Sequence, residues 1–200
     1  MSTKEVSDYF DKSENSEVRP DLFQGVDLVG AKKIAIDCGC GAGSDIAFLL
    51  SKGLLVHAFD IEAESISRCR ERFKGETNLS LSQASFTNFN YTEASLIHAD
   101  ASLFYCSPND FDQVWYKITN ALIAGGIFVG SFLGIRDTTA GPGYQKEAFW
   151  PDVMPVYEDE LRLKFEDFDI LSWVEHELDG KTAQDINHHW HVFSVVAKKK

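Results

Sequence analysis

The sequence predicts an α/β fold, a parallel β-sheet with helices on its faces, on the strength of three observations. From residue 31 onward, short apolar runs alternate with amphipathic stretches, the pattern of strands joined by crossover helices. The first apolar run opens straight into a glycine-rich turn, "DCGCGAGSD" at 37–45. The chain has 200 residues, 44% of them hydrophobic and 25% charged, which suits a single domain with a substantial core.

Each element has its own reason. Residues 1–30 read as a helical cap segment of one or two helices, and 31–200 as the main body of the domain. "KKIAID" is the first strand. "SDIAFLLSKG" is a helix with Ile46, Leu49 and Leu50 at helical spacing and Gly53 as its stop. "LLVHAFD" is a second strand ending on Asp60, and "EAESISRCRERFKG" a second helix closed by Gly75. "LSLSQ" and "ASLIHADASLF" read as the third and fourth strands. "PNDFDQVWYKITNALIAGG" is a helix with Pro108 near its start and Phe111, Trp115, Ile118 and Leu122 along one core-facing stripe. "GIFVGSFLG" is the fifth strand. Residues 136–156 lack periodicity and are rich in Gly, Pro and aromatics, as functional loops often are. "YEDELRLKF" is a short helix, and "FDILSWVEHEL" with "HWHVFSVVAK" a closing strand pair.

Composition narrows the function. No apolar run approaches the ~20 residues needed to cross a bilayer. The opening "MSTKEVSDYFDKSENSEVRP" is polar and acidic, unlike a signal or transit peptide. A cytoplasmic location and no membrane partner are the expectation. The net charge of −12 argues against a nucleic-acid partner, which needs a basic surface. Cys38, Cys40, Cys69 and Cys106 read as reduced, buried small hydrophobes. The terminal "KKK" reads as a solvated extension of the last strand.

The glycine turn admits two chemistries. A dinucleotide fold uses G-x-G-x-x-G/A to hold a pyrophosphate on amides and a helix N-terminus, and Gly39, Gly41 and Ser44 almost fit that spacing. Asp37, however, stands at the strand's end, where a carboxylate repels a phosphate and attracts a cation. S-adenosyl-methionine carries an ammonium and a sulfonium and no phosphate. Gly39, Gly41 and Gly43 permit close backbone approach because they lack a Cβ. Asp60, about 20 residues past the loop, is spaced to bind both ribose hydroxyls, with Ile61 against the adenine. The alternative is that Asp60 only caps the helix beginning near Glu62.

These residues carry a resemblance. Over nearly its whole length the chain resembles class I S-adenosyl-methionine-dependent methyltransferases: "IAIDCGCGAGSD" is similar to their first motif and "VHAFDIEAESI" to their second. More narrowly, "SLFYCSPNDFDQVWYKITNALIAGGIFVGSFLGIRD" and the ending "HWHVFSVVAKK" resemble a bacterial branch related to thiopurine and tellurite methyltransferases. The resemblance implies a three-layer, Rossmann-like fold whose seven-stranded, mostly parallel sheet has an antiparallel last strand. It implies methyl transfer to a small-molecule acceptor with release of S-adenosyl-homocysteine. Asp37, Gly39, Cys40, Gly41, Gly43, Asp60 and Ile61 are the implied cofactor contacts, joined by Ser85 and Phe86 after the third strand and Ala99 after the fourth. The chain departs from the pattern at Ala84 or Ser85, where many relatives place an acid, and at Ser95, where an aspartate often begins the fourth-strand motif. Relatives place a pre-sheet helix over the methionine end, which makes Arg19 a candidate for the cofactor carboxylate and Tyr9 and Phe10 candidate lid residues.

Ligands of open α/β sheets bind beyond the carboxyl ends of the strands, near the switch in strand order. Asp37, Asp60, His98 to Asp100 and Arg136-Asp137 fall at such ends. An antiparallel last strand would begin there too, with His188, His189 and Trp190. Methyl transfer needs nucleophile, methyl and sulfur held in line, and a base only where the acceptor arrives protonated. His98, Asp100 and His189 are the candidate bases. Tyr9, Arg136, Tyr144, Trp150 and Trp190 are candidate acceptor contacts, with 136–156 as a lid over them. "HHWH" offers a His pair at i and i+2 without a third ligand, so no metal is expected. The rivals are a nicotinamide-dependent oxidoreductase, which Asp37 disfavours, and a protein that binds the same cofactor without catalysis.

Overall fold

A computed structural model describes residues 3–141, 153–181 and 185–200. Two helices precede the sheet, α1 (Thr3–Ser13) and α2 (Pro20–Asp27). Alternation then runs β1 (Ile34–Cys38), α3 (Ser44–Ser51), β2 (Leu55–Asp60), α4 (Ala63–Arg72), β3 (Leu79–Gln83), β4 (Ala94–Ala99), α5 (Phe111–Ala121) and β5 (Leu122–Gly134). It closes with β6 (Pro155–Val156), α6 (Glu158–Leu163), β7 (Phe168–Lys181) and β8 (Asn187–Lys199).

The sheet has 8 strands, seven of them in the order β3-β2-β1-β4-β5-β8-β7. β1 to β5 are mutually parallel, and β8 is antiparallel to both β5 and β7. The antiparallel last strand is therefore present, but it lies inside the sheet, with β7 at the edge. The eighth strand beyond the expected seven is β6, where the aperiodic segment returns to lay Pro155 and Val156 beside Leu133 and Gly134.

Helices cover both faces, giving three layers. On one, Phe111, Trp115 and Ile118 of α5 and Leu161 of α6 pack on Phe128, Phe132, Phe193 and Val195. On the other, Leu22, Ile46, Leu49 and Ile66 from α2, α3 and α4 pack on Ala35, Val56, Leu96, Val129 and Val196. The core stripe of α5 forms as its periodicity predicts, but the helix ends at Ala121 and Leu122 is already extended. The terminal lysines also depart from expectation. Lys199 Nζ donates to Thr119 O at 2.6 Å and Leu122 O at 2.8 Å, capping carbonyls at the end of α5, so this residue is no mere solvated tail. No described helix is long and apolar enough to cross a membrane.

Candidate functional site

Strand order reverses between β1 and β4, and the site is built outward from that seam. The chain leaves β1 through Gly39, whose amide and that of Cys40 both donate to Phe59 O of β2, at 2.8 and 3.0 Å. From the other side, Ser102 Oγ donates to Cys38 O at 2.6 Å. The turn is thus pinned to both neighbours. Its glycines divide by what surrounds them. Gly39 (φ 77°) and Gly43 (φ 83°) face protein: a Cβ would fall 2.6 Å from Ser102 Cβ in the first case and 2.8 Å from the Phe73 ring in the second. Their lack of a side chain serves internal packing. Gly41 (φ 51°) is the open one, with Phe10 of α1 the nearest atom at 4.0 Å.

Asp37 and His98 occupy paired positions on β1 and β4, on the face covered by α2 and α3. His98 Nδ1 lies 3.0 Å from Asp37 Oδ1, with side chains only 4% and 3% exposed. Burial alone would hold His98 neutral, but the hydrogen bond and charge of Asp37, with Asp45 and Asp100 adding, push its pKa up to about 9. The second oxygen, Asp37 Oδ2, is buried and has no hydrogen-bond partner among the described residues. Arg19 Nε pairs with Asp100 at 2.8 Å. Asp45, in the first turn of α3, completes the group: burial lifts its carboxyl to about 6, with His98 and Arg19 opposing and Asp37 and Asp100 reinforcing. Nothing in the sequence pattern separates Asp45 from an ordinary acid at a helix start.

Asp60 ends β2 beside the turn. Its Oδ2 accepts from Gly41 N at 2.8 Å and its Oδ1 from Glu62 N at 2.9 Å. Burial raises its pKa, opposed by those two amides and the Ser65 hydroxyl. Each carboxylate oxygen can accept a second hydrogen bond, so tethering the turn leaves capacity for a diol. Ile61 beside it is 53% exposed, an apolar side chain held out at the strand tip. After β3, the Ser85 amide donates to Asn88 Oδ1 and its hydroxyl meets Thr87 Oγ1, which shapes the turn, while Phe86 stacks edge-on against Phe59 at 5.4 Å. Ala99 is fully buried at the end of β4. Cys40 is buried too; a hydrogen bond with Cys69 and burial keep its thiol protonated, and all four cysteines are free and buried.

α1 lies across the turn. Arg68 of α4 reaches Asp11 Oδ1 at 2.7 Å and Ser7 Oγ at 2.8 Å. Arg72 Nη1 donates to Glu14 O at 2.7 Å and to Ala42 O at 3.0 Å. Phe10 is buried beneath them. The side chain of Tyr9 lies outside the described residues, as do Tyr144 and Trp150.

The β7–β8 hairpin carries a separate polar set. His189 meets Asp179 at 2.7 Å and Glu177 at 3.3 Å, contacts that raise its pKa, Asp179 foremost. Arg136 bridges Glu175 and Glu177 and holds Glu177 down to about 2. On the opposite strand face His188 Nε2 lies 3.0 Å from Asp137 Oδ1. The buried Asp137 also accepts from Thr139 N and Oγ1 and from His191 N. The His188 ring lies 3.9 Å from Trp190. The structure therefore gathers Asp37, His98, Asp100 and Arg19 at the seam and assembles His189 with Arg136 elsewhere, through shared carboxylates. All three candidate bases, His98, Asp100 and His189, are engaged by partners. Among the described residues no group of three His, Cys, Asp or Glu side chains is arranged to hold a metal ion.

Residues 35–126, from β1 into β5, match the family model of a methyltransferase domain. Among solved structures, the chain is similar to TehB from Haemophilus influenzae, with TM-score 0.77 and 18% identity over 98% of this chain and 67% of that one. It is similar to the N-methyltransferase NodS from Bradyrhizobium japonicum, with TM-score 0.67 and 16% identity over 96% and 97% of the two chains. A third likeness is to the 1,6-didemethyltoxoflavin-N1-methyltransferase of Burkholderia thailandensis with bound 1,6-didemethyltoxoflavin and S-adenosylhomocysteine, with TM-score 0.67 and 18% identity over 99% and 86%. No curated protein matches in sequence. At these identities the likeness establishes the fold: Rossmann-like, as methyltransferases have it.

Proposed function

We propose that this chain is an S-adenosyl-methionine-dependent methyltransferase acting on a small-molecule acceptor. The observation that carries the reading is Asp37 Oδ2, a buried carboxylate oxygen left without a partner at the switch point. A buried polar atom in that condition is costly unless a ligand completes it, and the ligand it favours is cationic. Asp45, with no cation among the described residues matched to it as Arg19 is to Asp100, adds to the negative field, so a diphosphate has no welcome here. The methyltransferase-domain match over 35–126 supports the same reading. When bound, S-adenosyl-methionine supplies an electrophilic methyl group on a positively charged sulfur.

The chain's part is binding and orientation. Asp37 would take the ammonium, Gly41 would let the nucleoside approach the backbone, Asp60 would accept from both ribose hydroxyls, and Ile61 would lie on the adenine. Ser85, Phe86 and Ala99 would border that region. Because His98, Asp100 and His189 are each held by a partner, the reading favours an acceptor whose lone pair is available without a base, such as a thiolate or a neutral amine. The likeness to TehB accords with the branch-level resemblance. Isothermal titration with S-adenosyl-methionine and S-adenosyl-homocysteine tests the proposal, and failure of both to bind below ~1 mM ends it. Turnover across a panel of thiols and amines then separates an enzyme from a silent binder.

A further inference from the structure

Asp37 and His98 form an ion pair more deeply buried than any other at the seam, and a ligand that used Asp37 would meet a carboxylate already half committed. We propose that His98 is a positioning residue, which grips Asp37 by Oδ1 and so leaves Oδ2 for the α-ammonium of a methionine-type cofactor. This rests on the reading above and deepens it.

The surroundings explain why a cation is needed there. An ionised carboxylate buried away from water is costly without a counter-charge. Asp37 faces the charge of Asp45 from α3 and of Asp60 from β2, while Asp100 beyond β4 acts on His98 and Asp45. The neighbouring thiols of Cys38 and Cys40 are protonated and supply no positive charge. Arg19, ahead of α2, is spent on Asp100. His98 is the cation that touches Asp37. Both side chains rise from paired strands in the middle of the sheet, so the carboxylate plane is fixed by two rigid elements. Without His98 the Asp37 carboxylate loses the side chain that grips it, and a carboxylate free to turn meets an ammonium poorly.

That difference has a signature which simple loss of packing lacks. S-adenosyl-homocysteine carries the α-ammonium, whereas 5′-methylthioadenosine has the same nucleoside and thioether without it. Both are titrated into the full chain and its His98→Gln variant at pH 6.5, 7.5 and 8.5. The variant is expected to bind S-adenosyl-homocysteine about 10-fold more weakly than wild type at pH 6.5, the scale of one charged hydrogen bond. Methylthioadenosine affinity should stay within about twofold of wild type throughout. Unchanged binding of the homocysteine ligand at every pH overturns the proposal, and so does an equal loss for both ligands. If wild-type protein binds methylthioadenosine but not S-adenosyl-homocysteine, His98 fails in its role while the nucleoside site stands; if it binds neither, the cofactor reading itself fails. Should the variant not fold, imidazole nitrogen shifts of the wild type decide the matter. His98 must remain doubly protonated at pH 7.5 with S-adenosyl-homocysteine bound, and a neutral ring in that complex overturns the proposal.

Discussion

Replacing Asp60 with Ala separates a ligand-binding carboxylate from a structural one, because the proposed ribose contact and the observed hold on the turn fall on one side chain. In the free protein it ties Gly41 N and Glu62 N, at 2.8 and 2.9 Å. Hydrogen bonds to a charged group contribute roughly 1.5–3 kcal/mol each. Removing the carboxylate also relieves the desolvation that raises its pKa, so the net stability loss is on the order of 2 kcal/mol rather than the full sum. For a chain of this size that is a fall in Tm of about 4–8 °C. Loss of two ribose contacts should weaken S-adenosyl-homocysteine by a further ~2 kcal/mol, about 30-fold in Kd. Thermal melts and titration calorimetry at a temperature where the variant is fully folded read the two effects apart. A lower Tm with unchanged Kd would assign Asp60 to holding the turn and nothing more. Asp60→Asn adds a check: one of its two side-chain atoms can no longer accept, so it should lose part of each effect.

Other consequences follow from the same geometry. His98 has a folded pKa of about 9, above its unfolded value near 6.5. Its contribution, on the order of 3 kcal/mol, is fully present below about pH 6.5 and lost as pH rises through 9, so melts between pH 6 and 10 should show falling stability that His98→Gln flattens. Asp45 is also raised, to about 6, from an unfolded value near 3.9. Asp45→Asn should therefore raise Tm at pH 7.5 and have little effect at pH 4, and equal Tm shifts at both would refute the assignment. Gly39→Ala places a Cβ 2.6 Å from Ser102 Cβ, while Gly41→Ala meets nothing nearer than 4.0 Å. Gly39→Ala should consequently cost more in Tm, Gly41→Ala should cost more in cofactor affinity, and the reverse ranking would refute the division between the two glycines. Arg68→Ala removes the bonds to Asp11 and Ser7; because the pair is partly exposed, stability should change by less than about 1 kcal/mol, while α1 becomes the first site cut in limited proteolysis.

What could be read from the sequence, and what could not, follows the range of the interactions involved. The alternation of strands and helices, the turn at 37–45 and the acid at the tip of β2 are local patterns, and the structure forms them where periodicity and glycine placement require. Pairings across the sheet carry no such mark. Asp37 and His98 stand 61 residues apart, and only the parallel register of β1 and β4 makes them partners. Asp137 and His188 meet 51 residues apart for the same kind of reason, the antiparallel return of β8. The three histidines of "HHWH" illustrate the difficulty: alternation correctly divides their faces, but the carboxylates that claim them arrive from β7 and from the end of β5.

The same pairing gives Asp37 a sharper meaning than its spacing alone allows. A lone acid before a glycine turn argues against phosphate only through its charge, and a neutralising partner could cancel that argument. Here the partner takes one oxygen and leaves the other buried and unpartnered among the described residues. With Asp37 and Asp100 matched by His98 and Arg19, the seam's charge turns on Asp45, which ionises near pH 6. Above that pH the group carries one net negative charge, set against a cofactor with one net positive charge and a demethylated product with none. Asp45→Asn should accordingly lower the affinity for S-adenosyl-methionine more than that for S-adenosyl-homocysteine at pH 7.5. At an effective dielectric near 20 and a separation of about 8 Å, one charge is worth about 2 kcal/mol before screening, so a shift of severalfold in the ratio of the two dissociation constants is expected. An unchanged ratio would mean that the acids at this seam set the fold's charge balance and do not choose between the two ligands.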